Sequence, residues 1–121
     1  MTQVDEIAAR YLAVWHESDP AARDAAVAGL WSADARVCAG ANEYVGHDAI
    51  TRRVAAAHEK FVAGQGLAFR PLGAAEAHHD GMRIRWQMAP AGGGDAVSGG
   101  VQFLLLDAGG HIRLDYQFTD F

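Results

Sequence analysis

The stretch that decides the fold is the C-terminal quarter of the chain: VSGGVQFLLL (97–106), DAGG (107–110) and HIRLDYQFTDF (111–121). Two apolar, β-prone runs flank a short segment that ends in Gly109 and Gly110. Glycine tolerates the positive φ that a tight reversal needs, so this pattern predicts a hairpin of two long strands. The apolar positions of the second strand alternate with polar ones and are predicted to face the core: Ile112, Leu114, Tyr116 and Phe118.

The composition indicates one globular domain spanning residues 1–121. Half of the residues are hydrophobic, and the chain is long enough to bury a core. The net charge is −5, with scattered basic residues, so we expect no nucleic-acid partner and no membrane attachment. A single cysteine, Cys38, fits a reducing compartment, and the N-terminus lacks a signal pattern. The expected location is therefore the cytoplasm.

The remainder of the chain predicts helices first and strands later. Apolar residues spaced by three and four predict a helix over residues 4–15, and further helices follow over 21–30 and from Gly46 to Gly64. Strands are predicted at 36–38, at 67–77 and at 82–88, where Met82, Ile84, Trp86 and Met88 share one face. This order predicts an α+β fold in which helices cover the concave side of a curved antiparallel sheet.

Several local sequences resemble the nuclear transport factor 2-like superfamily, and within it the SnoaL-like branch. They are RYLA (10–13) followed by Trp15, DPAAR (19–23), LWSADARV (30–37), GHDAI (46–50), AHHD (77–80) before RIRW (83–86), and LDAGGHI (106–112). The resemblance implies a cone-shaped domain with an apolar pocket, and commonly a homodimer formed through the outer face of the sheet. The family includes isomerases and polyketide cyclases as well as members without known activity, so fold alone does not fix function.

Comparison with ketosteroid isomerase, within the same superfamily, implies two polar pocket residues. Its tyrosine donor corresponds to Tyr11, and its second donor, an acid, corresponds to Gln102. Its general-base aspartate would fall at Ala39, which cannot accept a proton. The resemblance therefore implies the oxyanion-stabilising half of that site without its base.

His58 is the candidate general base in the sequence, because it lies on the apolar face of the third helix and imidazole titrates near neutrality. The alternative is a hydrogen-bonded core histidine. For Tyr11 the alternative is likewise a ring that fills the core, with its hydroxyl on a backbone carbonyl.

The aromatic residues suggest the walls of a ligand site. Trp15, Trp86, Tyr116 and Phe118 occupy positions predicted to face inward, and rigid rings around few charges would suit a flat apolar ligand. This interpretation requires Trp86 and Tyr116 to lie on the same side of the sheet. If Gln102 points inward, then Val101, Phe103 and Leu105 point outward, and that apolar patch predicts a homodimer.

Three functions remain open at this point. The chain is an isomerase- or cyclase-type enzyme with Tyr11 and His58 as catalytic residues, a non-catalytic module that binds a small hydrophobic molecule, or a dimeric interaction domain. None of them requires a metal or a cofactor.

Overall fold

In the computed structural model, residues 2–121 are described, and they form three α-helices and a seven-stranded sheet. The helices are α1 (Gln3–Val14), α2 (Pro20–Leu30) and α3 (Gly46–Ala57), and α3 continues into a π-helical segment, His58–Ala63. The strands are β1 (Trp31–Ala39), β2 (Asn42–Val45), β3 (Leu67–Pro71), β4 (Glu76–His78), β5 (Gly81–Pro90), β6 (Ser98–Leu106) and β7 (Ile112–Thr119). The predicted α+β class is confirmed.

The first two helices each begin at a side-chain cap. The Thr2 hydroxyl accepts a hydrogen bond from the backbone N–H of Asp5 at 3.2 Å, and the Asp5 carboxylate turns back toward Thr2. Asp19 accepts from the N–H of Ala22 at 2.9 Å, with Pro20 at the first helical position. Both caps satisfy donors that the first helical turn would otherwise leave unpaired.

The sheet has the strand order β2-β1-β7-β6-β5-β3, with β4 also paired to β5. The neighbours β3, β5, β6 and β7 pair antiparallel as predicted, but β1 and β7 are parallel, so the expectation of an antiparallel sheet is wrong for this pair. The strand predicted over 67–77 is expected to be interrupted at Pro71, which has no N–H to donate to a ladder, and it forms two strands: β3 ends at Pro71 and β4 follows at Glu76–His78.

A β-bulge at the start of β7 changes which of its side chains face the helices. Leu105 pairs with Leu114, but the next residue of β6, Leu106, pairs with Ile112, so Arg113 is an extra residue in β7. Since side chains alternate with a period of two, one extra residue reverses the faces beyond it. Ile112 and Asp115 are three positions apart, a spacing that places two side chains on opposite faces of a regular strand. Both are nevertheless fully buried.

The core lies between the helices and the inner face of the sheet. Its largest fully buried side chains come from α1, α3 and four strands, and include Tyr11, Trp31, Ile50, Met82, Leu104 and Ile112. No helix within residues 2–121 is long and apolar enough to cross a bilayer.

Two glycines at the start of β6 allow an unusually close approach of the chain. A Cβ at Gly100 would overlap the backbone carbonyl oxygen of Phe118, so only glycine fits there. A Cβ at Gly99 would lie 2.7 Å from the Phe121 ring, which would have to move. The last residues of the chain therefore pack directly on β6, and the backbone N–H of Asp120 donates to the Gly99 carbonyl at 2.7 Å.

Candidate active site

A cavity of about 870 Å³ lies between α1, the end of α3 with its π-helical segment, and the sheet. Trp15 and Trp86 both pack against Phe69, with ring centroids 6.2 Å and 5.6 Å apart, and so form one aromatic wall. The apolar side chains bordering the cavity also include Leu12, Phe61, Leu67 and Met88. A concave, mainly apolar site of this volume accommodates a small organic molecule.

The polar part of the cavity is centred on the phenol of Tyr11. Its hydroxyl donates to Oδ2 of Asp115 at 2.7 Å. The same oxygen accepts from Nε2 of Gln102 at 2.7 Å and from Nε2 of Gln117 at 3.2 Å. Residues from α1, β6 and β7 thus meet at one oxygen atom.

The neighbours of the two glutamines fix the direction of these hydrogen bonds. Oε1 of Gln102 accepts from the indole Nε1 of Trp86 at 3.1 Å, and Oε1 of Gln117 accepts from Nη2 of Arg53 at 3.2 Å. Each amide therefore turns its NH₂ group toward Tyr11. Because the Tyr11 oxygen accepts from both amides, its own proton points to Asp115.

Burial sets the protonation of this network. It raises the pKa of Asp115 to about 7, although hydrogen bonds from Tyr11 and Gln117 and the charge of Arg53 lower it in part. Burial, and next the nearby Asp115 carboxylate, raise the pKa of Tyr11 well above its ordinary value. Near neutral pH, Asp115 can therefore hold or release a proton, whereas Tyr11 stays protonated.

Part of the Asp115 carboxyl lacks a hydrogen bond. Its Oδ1 atom is buried without a partner, and so is the indole Nε1 of Trp31. The Trp31 indole lies near enough to lower the pKa of Asp115, but the two groups do not reach hydrogen-bond geometry. A buried, incompletely paired carboxyl is typical of a functional group rather than of a stabilising contact.

Asp115 lies behind the cavity wall. Tyr11, Gln102, Gln117 and Arg53 border the cavity, and Asp115 does not. Its carboxyl is therefore connected to the cavity by hydrogen bonds to the Tyr11 hydroxyl and the Gln117 amide. Within residues 2–121, no three His, Cys, Asp or Glu side chains are grouped as metal ligands would be.

The structure brings together four of the residues that the sequence singled out: Tyr11, Trp15, Trp86 and Gln102 all border the cavity. His58 does not border it. Its Nδ1 lies 3.0 Å from the carbonyl oxygen of Trp15, and its side chain is buried. This is the placement described by the alternative of a hydrogen-bonded core histidine.

Tyr116 and Phe118 do not face the core, and that prediction is wrong. They are 37% and 55% exposed, and they pair with Phe103 and Val101 on the outer face of the sheet. Trp86 lies on the inner face, where it reaches Gln102, so Trp86 and Tyr116 are on opposite sides. The bulge at Arg113 is the physical reason. The condition set for an aromatic wall that includes Tyr116 and Phe118 therefore fails, and the wall consists of Trp15, Phe69 and Trp86. Tyr116 and Phe118 nevertheless border the cavity.

The same reversal hides the residues that sequence reasoning missed. The apolar alternation of β7 predicts that Asp115 and Gln117 point outward, yet they supply the carboxyl and one amide of the Tyr11 network. The charged residue that borders the cavity is Arg53, which the sequence pattern does not mark as a site residue. A carboxylate between β-prone apolar residues was the available signal, but its meaning depended on the strand phase.

Comparisons with known proteins identify the family through a solved structure. No protein-family model matches the chain, and no curated protein matches it. A candidate isomerase of the SnoaL-like family from Agrobacterium tumefaciens has 30% sequence identity and a TM-score of 0.89, with all of both chains covered.

Two more distant structures share the fold. A candidate polyketide cyclase from Sinorhizobium meliloti is 18% identical, with a TM-score of 0.70 over 98% of this chain and 100% of its own. A candidate SnoaL-like polyketide cyclase from Jannaschia sp. CCS1 is 16% identical, with a TM-score of 0.71 over 98% of this chain and 85% of its own. Together with the full-length similarity to the Agrobacterium protein, these findings show that the chain belongs to the SnoaL-like family.

Proposed function

We propose that this protein is an isomerase- or cyclase-type enzyme that moves a proton on a small, largely apolar carbonyl compound. The observation that carries the proposal is the Asp115–Tyr11 pair. A fully buried carboxyl with a pKa of about 7 lies 2.7 Å from the hydroxyl of a tyrosine that borders an apolar cavity. A general base is most effective when its pKa lies near the working pH.

In the proposed step, Tyr11 relays the proton because Asp115 does not reach the cavity. The Tyr11 oxygen takes a proton from the carbon next to the carbonyl, while the Tyr11 hydroxyl proton passes to Oδ2 of Asp115. The C–H electron pair becomes the enolate, and the proton returns by the reverse path to the same or another carbon. Asp115 is thus the proton acceptor, and Tyr11 remains a neutral phenol before and after the step.

Gln102 is suited to stabilise the enolate oxygen. Its NH₂ group carries two hydrogens, one of which is used on Tyr11 at 2.7 Å. The second is available to the carbonyl oxygen of a ligand. A donor fixed in a water-poor cavity favours charge that develops in the transition state. His58 has no part in this step, because it does not border the cavity.

The test is hydrogen exchange at carbon, which needs no knowledge of the natural substrate. Wild-type protein is incubated in D₂O with apolar cyclic ketones such as 1-indanone and 2-tetralone, and deuterium next to the carbonyl is followed by NMR. We expect wild type to accelerate exchange, with a rate that rises through about pH 7 as Asp115 ionises. Asp115→Asn should reduce the enzyme-dependent rate by roughly 10²–10⁴-fold.

Asp80→Asn is the matched control, since Asp80 is an exposed carboxylate paired with Arg113 and does not border the cavity. It should exchange at the wild-type rate. Equal rates for wild type and Asp115→Asn would contradict the proposed base.

The second candidate function is ligand binding without chemistry, and one observation favours it. The Tyr11 oxygen already makes three hydrogen bonds, so a ligand reaches it only if an amide moves. Quenching of Trp15 and Trp86 fluorescence by a ketone, with no exchange above the buffer rate, would identify this function.

We also propose a homodimer formed through the outer face of the sheet. Three cross-strand pairs form what we call the outer patch: Val101–Phe118, Phe103–Tyr116 and Leu105–Leu114. Phe103 and Phe118 are 44% and 55% exposed. Arg36 and Arg83 pair with Leu114 and Phe103 from the flanking strands, so charged residues border this apolar surface. Such a patch is typical of a protein interface.

A further inference from the structure

Arg53 is the charged residue of the cavity. Among residues 2–121, every other side chain that borders the cavity is neutral. Arg53 comes from the middle of α3, and its side chain extends to Gln117 on β7. A permanent positive charge therefore lies at the wall of a mainly apolar space.

This charge has no carboxylate partner among the described residues. Nη2 of Arg53 donates to the neutral Oε1 of Gln117 at 3.2 Å, and the guanidinium lies 5.4 Å from the centre of the Tyr44 ring. Nε is buried and makes no hydrogen bond. Arg53 lowers the pKa of Asp115, but the two residues form no ion pair.

Six other arginines find charged or backbone acceptors. Arg36, Arg83 and Arg113 each pair with an acidic side chain, at 2.6, 2.6 and 3.0 Å, although they lie at the surface where pairing has little value. Three more donate to backbone carbonyl oxygens. Arg53 differs from these six because it borders the cavity and its Nε is buried without an acceptor.

We propose that the ligand of the cavity is a carboxylate on an apolar body, and that Arg53 binds the carboxylate group. The planar guanidinium offers parallel N–H donors that match a carboxylate. Its Nη2 is held only by the neutral amide oxygen of Gln117, which a carboxylate can replace. The aromatic wall of Trp15, Phe69 and Trp86 would hold the apolar body. This inference rests on the proposed function, because it assigns the substrate class of the same cavity.

Carboxylate binding would also open the Tyr11 network. Oε1 of Gln117 occupies a donor of Arg53, and the same amide donates to the Tyr11 oxygen at the longer of its two distances, 3.2 Å against 2.7 Å for Gln102. A carboxylate that replaces Gln117 on Arg53 frees the amide to turn. The Tyr11 oxygen then loses one donor, so a ligand with a carboxylate opens the network at lower cost than a neutral ketone, which must displace the amide itself.

The test compares each acid with its neutral amide by isothermal titration calorimetry at neutral pH. The probes are 1-naphthoate against 1-naphthamide, and octanoate against octanamide, so that aromatic and lipid-like acids are separate arms. We expect wild type to bind the acid of at least one pair about tenfold or more tightly than its amide. That preference should disappear in Arg53→Gln and persist in the control Arg52→Gln, since Arg52 is the adjacent, exposed arginine outside the cavity.

Three results would overturn the assignment: equal affinity of wild type for acid and amide in both pairs, an unchanged preference in Arg53→Gln, or no binding of either acid at millimolar concentration. Wild type and Asp115→Asn together separate this inference from the proposed chemistry. Asp115→Asn should keep the preference for the acid. Wild type that prefers the acid but does not accelerate deuterium exchange would refute the enzyme and not the carboxylate site. Circular dichroism of each variant checks the fold.

Discussion

The two faces of β7 have opposite characters, and each is the reverse of what its sequence pattern indicates. The inner face carries Asp115 and Gln117 in contact with Tyr11. The outer face carries Tyr116 and Phe118, which are substantially exposed. Polar side chains are buried where they build a site, and aromatic side chains are exposed where a partner would cover them. One bulge residue, Arg113, is thus enough to exchange core and surface along a whole strand.

The largest expected effect concerns the buried carboxyl of the inner face. The folded pKa of Asp115 is raised to about 7 from 3.8, so between these values the native state keeps a proton that the unfolded chain has lost. The unfolding free energy should therefore fall as pH rises from about 4 to about 7, by on the order of 4 kcal/mol. Asp115→Asn should remove this decline, because the amide does not ionise.

Urea unfolding at a series of pH values measures this prediction. Asp80→Asn is again the control and should keep the decline. The hydrogen bond from Arg113 lowers the pKa of Asp80, so the contribution of Asp80 to the unfolding free energy has the opposite pH dependence and is lost as pH falls. A wild-type curve that rises between pH 4 and 7, or one that Asp115→Asn leaves unchanged, would show that Asp115 is not a desolvated acid.

The second prediction compares neighbouring leucines of β6 that lie on opposite faces of the sheet. Leu104 is fully buried, whereas Leu105 belongs to the outer patch and is only partly buried. Leu104→Ala should lose about 2–5 kcal/mol of unfolding free energy through lost burial and the space left behind. Leu105→Ala should lose less than about 1 kcal/mol. Similar losses in both variants would contradict the assignment of faces.

The third prediction introduces a charge into the outer patch. We expect a small effect on the unfolding free energy and a clear effect on dimer formation. Phe103→Arg places a cation opposite Tyr116 and next to Arg83. Wild type should sediment as a dimer and the variant as a monomer, with the unfolding midpoint of wild type alone depending on protein concentration. A monomeric wild type in analytical ultracentrifugation would refute the dimer.

Much of the fold follows from local rules that the sequence displays openly. The caps at Thr2 and Asp19, the terminal hairpin and the alternation of β5 all depend on residues close together in the chain. The parallel pairing of β1 with β7 could not be predicted in this way, since it joins segments more than seventy positions apart. Neither β1 nor β7 has a local sequence pattern that selects its partner strand.

The candidate site was only half predictable for a related reason. Tyr11 and Gln102 could be placed by family resemblance, and Trp15 and Trp86 by periodicity. Asp115, Gln117 and Arg53 enter the site because a bulge and a long side chain carry them there. The bulge residue is Arg113 and not a glycine or proline, so the sequence carries no local signal of the bulge at this position. When apolar and polar residues keep alternating past a bulge, the pattern looks regular but assigns every later side chain to the wrong face.

The tight contacts at Gly99 and Gly100 bear on how this scaffold can diversify. A side chain at Gly100 would collide with the backbone of Phe118, so β6 and β7 cannot be spread apart by substitution there. Accommodation of larger or differently shaped molecules during evolution would then fall to the helical side. Leu12 on α1 and Phe61 on the π-helical segment border the cavity and are only partly buried. Libraries that randomise these positions, and leave the glycines untouched, are the natural starting point for altering selectivity.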